Sequence, residues 1–143
     1  MSALAIVSIL SGLVAIATAL GFLLRFQQGR VRHTDGHTVI SAKELPGVAR
    51  LGSGATLLQF STEVCAPCAA TRRVLGGVAD DRGDVAHVDL DLTHRPDLAS
   101  KFHILQTPTT FILDNRGVVR ARIGGAPKPA DVRAELDRIL ALA

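Results

Sequence analysis

The chain has 143 residues, of which 48% are hydrophobic, and a formal net charge of +3. This composition excludes intrinsic disorder and is typical of one domain of ordinary size. Two cysteines are too few for a disulfide-stapled secreted scaffold or for a four-cysteine zinc module. Positive charge is concentrated between Arg25 and Arg50, whereas the residues from Leu51 onward carry as many acidic as basic side chains. With no Trp or Tyr in the chain, this pattern argues against a nucleic-acid-binding surface.

The N-terminal segment is uniformly apolar. Ser2 to Leu24 contains no charged side chain and would form a helix of about 34 Å at roughly 1.5 Å per residue. Since that length crosses a hydrocarbon core of roughly 30 Å, we predict a transmembrane anchor at residues 1–24. A cleaved signal peptide is the alternative, because Ala17-Thr18-Ala19 resembles a cleavage site. The apolar run continues beyond that site, however, and no cation precedes it.

A short basic segment follows the apolar one and contains Arg25, Arg30 and Arg32. The positive-inside rule then places the rest of the chain on the cytoplasmic face of the membrane. The extracytoplasmic face is the alternative, since such arginines bind anionic headgroups on either side. Residues 25–40 are polar and contain two glycines, which predicts a basic juxtamembrane linker with a short hairpin across Thr34-Asp35-Gly36.

The remaining residues, 41–143, predict one folded domain. Ser41 and Glu44 have the spacing of a capping box at the start of a short helix. Apolar runs, alternation of period two and helical spacing then predict further elements. In chain order these are a strand at 56–60, a helix at 66–80, a strand at 84–91, a helix at 96–102, a hairpin of strands at 109–113 and 118–123, and a helix at 129–142. This order predicts an α/β fold, with a mixed central sheet covered by helices on both faces.

The motif Cys65-Ala66-Pro67-Cys68 lies between the first predicted strand and the helix that follows it. The N-terminus of a helix presents free N–H groups and the positive end of the macrodipole, which stabilise a thiolate. We therefore expect Cys65 to be the nucleophile and Cys68, one turn further, to be the more buried, resolving cysteine. The spacing allows the two sulfurs to form a disulfide, and Pro67 fixes the turn between them.

Other uses of a cysteine pair fit the sequence less well. A metal carrier with a zinc site would need two further ligands, and His87, His94 and His103 fall on different predicted elements. Haem attachment requires His directly after the second cysteine, where the chain has Ala69. An inert, buried structural pair is the remaining alternative. We therefore predict neither a metal nor a cofactor besides a redox-active Cys65–Cys68 disulfide.

From Ser41 to Leu142 the chain resembles the thioredoxin family. The resemblance rests on the CAPC motif at a helix start, on Thr107-Pro108-Thr109 some forty residues after Cys68, and on the hairpin, Gly124-Gly125 and terminal helix that follow. It implies a thioredoxin fold with a cis peptide bond at Pro108. It also implies a substrate groove at Pro108, where the backbone of Thr107 pairs with extended substrate chains.

The chain departs from the family pattern at four positions in and near the cysteine segment. Val64 stands where the family usually has Trp, and Ala66 stands where it has Gly. Gln59 stands where the family has a buried Asp that assists proton transfer, and His87 stands where it has a partnering Lys. If these two side chains face each other beneath Cys68, His87 is a candidate base for that thiol, because imidazole titrates near physiological pH. A polar pair whose members merely satisfy each other is the alternative.

Together these features predict a membrane-tethered thiol-disulfide oxidoreductase that reduces protein disulfides and contributes to redox homeostasis. Its predicted partners are protein disulfide substrates, an electron donor and the lipid bilayer. One alternative is an extracytoplasmic exchange protein of the TlpA and cytochrome-maturation type, which the string Pro108-Thr109-Thr110-Phe111 resembles. The other is a non-enzymatic thioredoxin-fold adaptor that holds a membrane partner by the groove around Pro108.

Overall fold

The computed structural model describes residues 2–142, so Met1 and Ala143, the outer ends of the predicted anchor and domain, lie outside the described residues. In chain order the elements are α1 (Ala3–Gln27), β1 (Val31–His33), a 3-10 helix (Ala42–Glu44), β2 (Ala55–Ser61), α2 (Ala66–Asp80), β3 (Val85–Asp91), α3 (Pro96–Lys101), β4 (Thr109–Asp114), β5 (Val119–Gly124) and α4 (Pro129–Ala141). From β2 to α4 the predicted order is confirmed, and each bound lies within one residue of the prediction. The mixed sheet with helices on both faces is confirmed as well.

The N-terminal helix α1 has 25 residues, and none of them is buried. Its hydroxyl groups bond within the helix: Ser8 donates to the Leu4 carbonyl at 2.9 Å, and Thr18 donates to the Val14 carbonyl at 2.8 Å. By length and composition α1 is able to cross a membrane, a test that a signal sequence near an N-terminus also passes. The structure therefore shows one apolar helix that is suited to either role.

The five strands form one sheet in the order β1-β5-β4-β2-β3. β2 and β3 are parallel, and the other neighbouring strands are antiparallel. Phe60, near the end of β2, pairs with Thr109 at the start of β4. Thr109 also pairs with Gly124 at the end of β5, and the residue before Gly124, Ile123, pairs with Val31 at the start of β1. The carboxyl ends of β2 and β5 and the amino ends of β1 and β4 therefore share one edge of the sheet. We call it the cysteine edge, because the segment with Cys65 leaves the sheet there.

The segment 25–40, which was expected to be a linker, contributes to the sheet. β1 pairs with β5, and the N–H of Thr34 continues the ladder by donating to the Arg120 carbonyl at 3.0 Å. Val39 forms a further bridge with Val118. The predicted local hairpin across Thr34-Asp35-Gly36 is therefore wrong. The backbone groups of this segment are satisfied by a strand almost ninety residues away, which no local turn signal reveals.

Two apolar clusters fill the space on the two sides of the sheet. One side packs against α2 and α4 and contains Ala55, Leu57, Leu75, Val78, Ile112, Ala121, Ile123, Val132, Leu136 and Ile139. The other packs against α3 and the segment 40–51 and contains Ile40, Leu45, Leu58, Phe60, Leu90, Leu98, Phe102, Phe111 and Leu113. β2 is buried along its whole length because it contributes to both clusters, which explains why its sequence is a continuous apolar run rather than an alternating one.

The turn between β4 and β5 is held by a buried carboxylate. Asp114 is only 6% exposed and accepts hydrogen bonds from the backbone N–H groups of Arg116 and Val118 and from the Arg120 guanidinium, at 2.9, 3.0 and 2.8 Å. Burial by itself would raise the pKa of Asp114. The hydrogen bond from Arg120 and those from the two N–H groups outweigh burial, so that the pKa of Asp114 lies below its ordinary value.

We expect Asp114→Asn to destabilise the domain by about 1–3 kcal/mol at neutral pH, because the charged acceptor of a buried network is lost. Since the folded-state pKa is lowered, the stability that the charge contributes is complete above the unfolded-state pKa and is lost as pH falls through the folded-state pKa. The free energy of unfolding of the variant should therefore lack the decrease at low pH that protonation of Asp114 causes in the wild type. Urea unfolding between pH 7 and pH 2 measures both effects. Asp81→Asn, which removes an exposed carboxylate, is the matched control, and an equal loss of stability in both variants would contradict this account.

Candidate active site

The two cysteines lie at the start of α2. Cys65 is the residue before the first helical turn, with extended backbone (φ −141°, ψ 94°), and Pro67 occupies the first turn, where a missing N–H costs no helical hydrogen bond. Cys65 and Cys68 form a disulfide, with their Cα atoms 5.4 Å apart. The N–H of Cys68 donates to the Cys65 carbonyl at 3.1 Å and closes the turn between them. The motif therefore holds its two sulfurs together at the positive end of a helix.

The two cysteines differ in accessibility. Cys68 is 2% exposed and is packed beneath the start of α2. Cys65 is partly exposed, and its neighbour Val64, where the family pattern has Trp, is 97% exposed. A sulfur of another protein is therefore able to approach Cys65 and not Cys68.

A second loop at the cysteine edge carries Pro108. The Thr107–Pro108 peptide bond is cis, and Pro108 is buried while Thr107 is half-buried. The hydroxyls of Thr62 and Thr107 share a hydrogen bond of 3.2 Å, which joins this loop to the segment before the cysteines. On the other side, the N–H of Gly125 donates to the Pro108 carbonyl at 2.8 Å. The loop is thus held between the cysteine segment and the end of β5.

Gln59 and His87 do meet beneath Cys68. Gln59 is fully buried, and its Nε2 donates to the backbone carbonyl of Cys68 at 3.0 Å. Its Oε1 lies 3.2 Å from Nε2 of His87. Because the amide oxygen can only accept, this network assigns the proton of the imidazole to Nε2. The hydrogen-bond chain thus runs from Nε2 of His87 through the Gln59 amide to the backbone carbonyl of Cys68.

His87 is half-buried and has charges of both signs around it. Burial lowers the pKa of His87 most, the carboxylates of Asp89 and Asp80 raise it, and Arg72 lowers it; the net effect is a pKa below the ordinary value. The imidazole is therefore mostly neutral at physiological pH. Arg72 forms an ion pair with Asp89, which also accepts a hydrogen bond from Ser61 Oγ at 2.6 Å. The positive charge of Arg72, one helical turn after Cys68, is therefore compensated by Asp89.

Sequence reasoning overlooked three contributors to the site. Thr62 bonds to the Pro108 loop, while Asp89 binds both Ser61 and Arg72. The only available signal was that Asp89 alternates with His87 on one face of the same strand. Between residues 2 and 142 the structure brings no group of three or more His, Cys, Asp and Glu side chains together in an arrangement suited to a metal ion.

Comparison with known proteins agrees with this geometry. The thioredoxin family model matches residues 47–138. Thioredoxin of Mycolicibacterium smegmatis is 30% identical over 109 residues, which cover 73% of this chain and 97% of that protein. Thioredoxin H2 of Arabidopsis thaliana is 38% identical over 72 residues, which cover 50% of this chain and only 53% of that protein.

The solved structures support the same assignment. The crystal structure of chloroplastic thioredoxin z is similar with a TM-score of 0.57 and 27% identity, over 62% of this chain and 80% of that one. The thioredoxin fold predicted from the sequence is thereby confirmed, preceded here by the long apolar helix α1. With a matching family model and a disulfide-forming CxxC pair at a helix N-terminus, the chain belongs to the thioredoxin family of thiol-disulfide oxidoreductases.

Proposed function

We propose that the protein is a membrane-tethered oxidoreductase that reduces disulfides of partner proteins. The observation that carries the proposal is the asymmetric Cys65–Cys68 disulfide, with one sulfur accessible and the other buried at the same helix end. In the reduced protein the free N–H groups and the dipole of α2 stabilise the Cys65 thiolate. This places the nucleophile on the surface and keeps the second thiol within reach of it.

The reaction proceeds through two exchanges. The Cys65 thiolate attacks one sulfur of the partner's disulfide, forming a mixed disulfide and releasing the partner's other sulfur as a thiolate. Cys68, as its thiolate, then attacks Cys65 Sγ and releases the partner's second sulfur. Two electrons have passed to the partner, and this protein retains the Cys65–Cys68 disulfide. A dithiol protein, the electron donor, returns it to the reduced form by the reverse sequence.

Thr107 and Pro108 supply the surface on which the partner's chain is bound. Both precede β4 at the cysteine edge, and the Thr62–Thr107 hydrogen bond fixes their loop relative to the cysteine segment. An extended partner segment that pairs with the Thr107 backbone would present its disulfide to Cys65.

Gln59 and His87 act as positioning residues for Cys68. The Gln59 amide holds the Cys68 carbonyl, and the neutral His87 holds the amide in the orientation that makes this contact. Neither group contacts a sulfur through these hydrogen bonds. This supports the interpretation of a polar pair that fixes the first turn of α2, in preference to a catalytic base.

The tether is α1, with the domain on the cytoplasmic face. The helix has 25 residues and no buried side chain. Arg25 lies in its last turn, and Arg30 and Arg32 follow it. By the positive-inside rule, these cations favour a cytoplasmic location of the C-terminal end of α1 and of the domain attached to it. There a dithiol of this family acts as a reductant. Retention of α1 and the side of the membrane are both accessible to direct measurement.

We expect Cys65→Ser to abolish reduction of a protein disulfide such as that of insulin, because no nucleophile is left. Cys68→Ser should accumulate the mixed disulfide, because nothing releases the partner from Cys65. Turbidity or thiol release measures the first result, and non-reducing electrophoresis with mass analysis measures the second. Variants that retained full cellular function without either cysteine would favour the non-enzymatic adaptor.

We expect His87→Gln to keep the rate of the resolving step within about twofold of wild type, since the amide still bonds to Gln59, whereas loss of a general base would cost about 100-fold or more. His87→Leu should destabilise the domain by about 1–3 kcal/mol, because it leaves a buried amide oxygen without its donor. Rapid-mixing kinetics of the step in which Cys68 releases the partner give the rate, and urea unfolding gives the stability. A 100-fold slower His87→Gln enzyme would identify His87 as the base.

The same histidine predicts a pH effect on stability. The folded-state pKa of His87 is lowered, so the unfolded chain binds the proton first as pH falls below about 6.5. This contribution to stability is complete above the unfolded-state pKa and decreases as pH falls toward the folded-state pKa. His87→Gln should lack this decrease in urea unfolding between pH 8 and 5, and an unchanged profile would contradict the lowered pKa.

We expect the full chain to remain with bilayers after alkaline and high-salt washing, at its intact mass of 15.1 kDa, because α1 is retained. A chain that begins at Gln28 is the control and should be released. A product cleaved after Ala19 would identify a signal peptide instead. In intact cells a membrane-impermeant maleimide should label reduced Cys65 only after lysis, and labelling before lysis would place the domain on the extracytoplasmic face.

A further inference from the structure

We propose that the disulfide with which this protein exchanges lies at the bilayer surface in an integral membrane protein, because the cysteine edge of the domain faces the membrane. The inference rests on the proposed function, in which α1 spans the bilayer. It adds the orientation of the domain and the class of its partner. Both follow from the way in which α1 is joined to the sheet.

The chain enters the sheet at the cysteine edge. Val31, the first residue of β1, pairs with Ile123, one residue before the end of β5. Gly124, at that end, pairs with Thr109, which directly follows Pro108. The point at which α1 is attached is therefore beside the Pro108 loop. The turn between β4 and β5 is at the opposite edge of the sheet.

The connection between α1 and β1 is short and is bound to the domain. Three residues separate Gln27 from Val31, and even fully extended they reach only about 14 Å. The N–H of Gly29 donates to the Gly124 carbonyl at 2.8 Å. Gly29 has a φ of +76°, and a side-chain carbon there would collide with the Ala126 carbonyl oxygen. The end of α1 is thus fixed next to the cysteine edge.

The length of α1 places its last turn among the lipid headgroups. Its 25 residues extend about 38 Å, against a hydrocarbon core of roughly 30 Å. Arg25 lies in that turn, and the exposed cations Arg30, Arg32 and Lys128 lie just beyond it on the domain; Lys128 lines a groove with Arg25 and Phe26. These charges suit the anionic surface of a bilayer. They favour a domain that rests with this side against the headgroups.

A groove runs between the end of α1 and the Pro108 loop. It is lined by Leu24, Gln27, Arg30, Gln106, Arg122 and Gly124. Gln106 is two residues before Pro108, so the groove leads from the bilayer surface toward the site. A segment of a second membrane protein that leaves the bilayer beside α1 enters this groove directly.

Two large apolar side chains are exposed in the segments beside the site. Val64, beside Cys65, is 97% exposed, and Leu105, three residues before Pro108, is 94% exposed. An apolar segment of a partner that reaches the site would remove these side chains from water, which favours its binding. The carboxylate of Glu63 is the adjacent charge on the cysteine segment. A soluble folded protein would have to insert between these residues and the headgroups, whereas a loop of a membrane protein begins there.

The chemistry is the thiol-disulfide exchange described above, with a partner whose disulfide lies at the bilayer surface. The reduced Cys65 thiolate forms the mixed disulfide with one sulfur of the membrane protein, and Cys68 then displaces it. The partner gains two electrons and leaves as a dithiol, and this protein keeps the Cys65–Cys68 disulfide until a dithiol donor reduces it.

The orientation of the domain is measured by attaching one fluorescent label at a time to the full chain. Cys65→Ser and Cys68→Ser first remove both native thiols, so that only an introduced cysteine is labelled. Val64→Cys places the label at the cysteine edge, and Asn115→Cys places it at the turn on the opposite edge; both positions are exposed. The chain is reconstituted into phosphatidylcholine vesicles with 30% phosphatidylglycerol and lipids that carry a nitroxide quencher on the headgroup. We expect at least about twofold stronger quenching at position 64, since a strand of six residues separates the edges by about 20 Å.

A flexible insertion provides the matched control. Twenty Gly and Ser residues between Gln27 and Gln28 keep α1 and the domain intact but let the domain move by about 25 Å. The difference between the two labels should then disappear. Equal quenching at positions 64 and 115 in the uninserted chain, or stronger quenching at 115, would overturn the proposed orientation.

The partner class is measured with two disulfide substrates of the same loop sequence, one attached to a transmembrane peptide in the same vesicles and one free in solution. The insertion should lower the rate with the membrane substrate severalfold and leave the rate with the soluble one unchanged or higher. An unchanged ratio would overturn the partner assignment. If the wild-type chain reduces the soluble substrate but does not float with vesicles, the tether fails and this inference fails with it. If it floats but reduces neither substrate, the proposed reductase function is what fails.

Discussion

The backbone ladder of β2 and β4 pairs Phe60 with Thr109, and the rest of the site depends on this pairing. It brings the end of one strand, from which the chain runs to Cys65, beside the start of another, which Pro108 precedes. Neither segment is close to the other in sequence. The apolar clusters on both faces hold the ladder in register, since a slip by one residue would turn Leu57 and Leu58 to the wrong sides. The reactive pair is therefore located by the core.

Helix α2 gives the two cysteines different environments. Cys65 precedes its first turn and meets solvent, while Cys68 is buried above Gln59. The Gln59 amide binds the Cys68 carbonyl, and His87 completes the arrangement with a neutral imidazole. A buried carboxylate in place of Gln59 would bring a charge beneath the thiol. Here the site uses groups that are neutral at physiological pH, and these hold the first turn of the helix without placing a charge beneath the thiol.

β1 connects the redox site to the apolar helix. Because Val31 pairs with Ile123 and Gly29 bonds to Gly124, the end of α1 is fixed to the same edge of the sheet as Pro108. If α1 spans a bilayer, as proposed, a tether at the opposite edge would leave the cysteines about one strand length farther from it. In the proposed arrangement the three residues between α1 and β1 decide which partners Cys65 reaches.

The sequence by itself determined the local features. Continuous apolar runs, helical spacing and the cysteine pair before Pro67 predicted the elements from β2 to α4 within one residue and identified Cys65 and Cys68, since periodicity and capping act over a few neighbouring residues. Only the tertiary structure decided the pairing of β1 with β5, the contact of Gln59 with the Cys68 carbonyl and the compensation of Arg72 by Asp89. These interactions join residues from 9 to 92 positions apart and depend on which backbone and side-chain groups remain unsatisfied once the sheet has formed. That is the information that a local pattern does not contain.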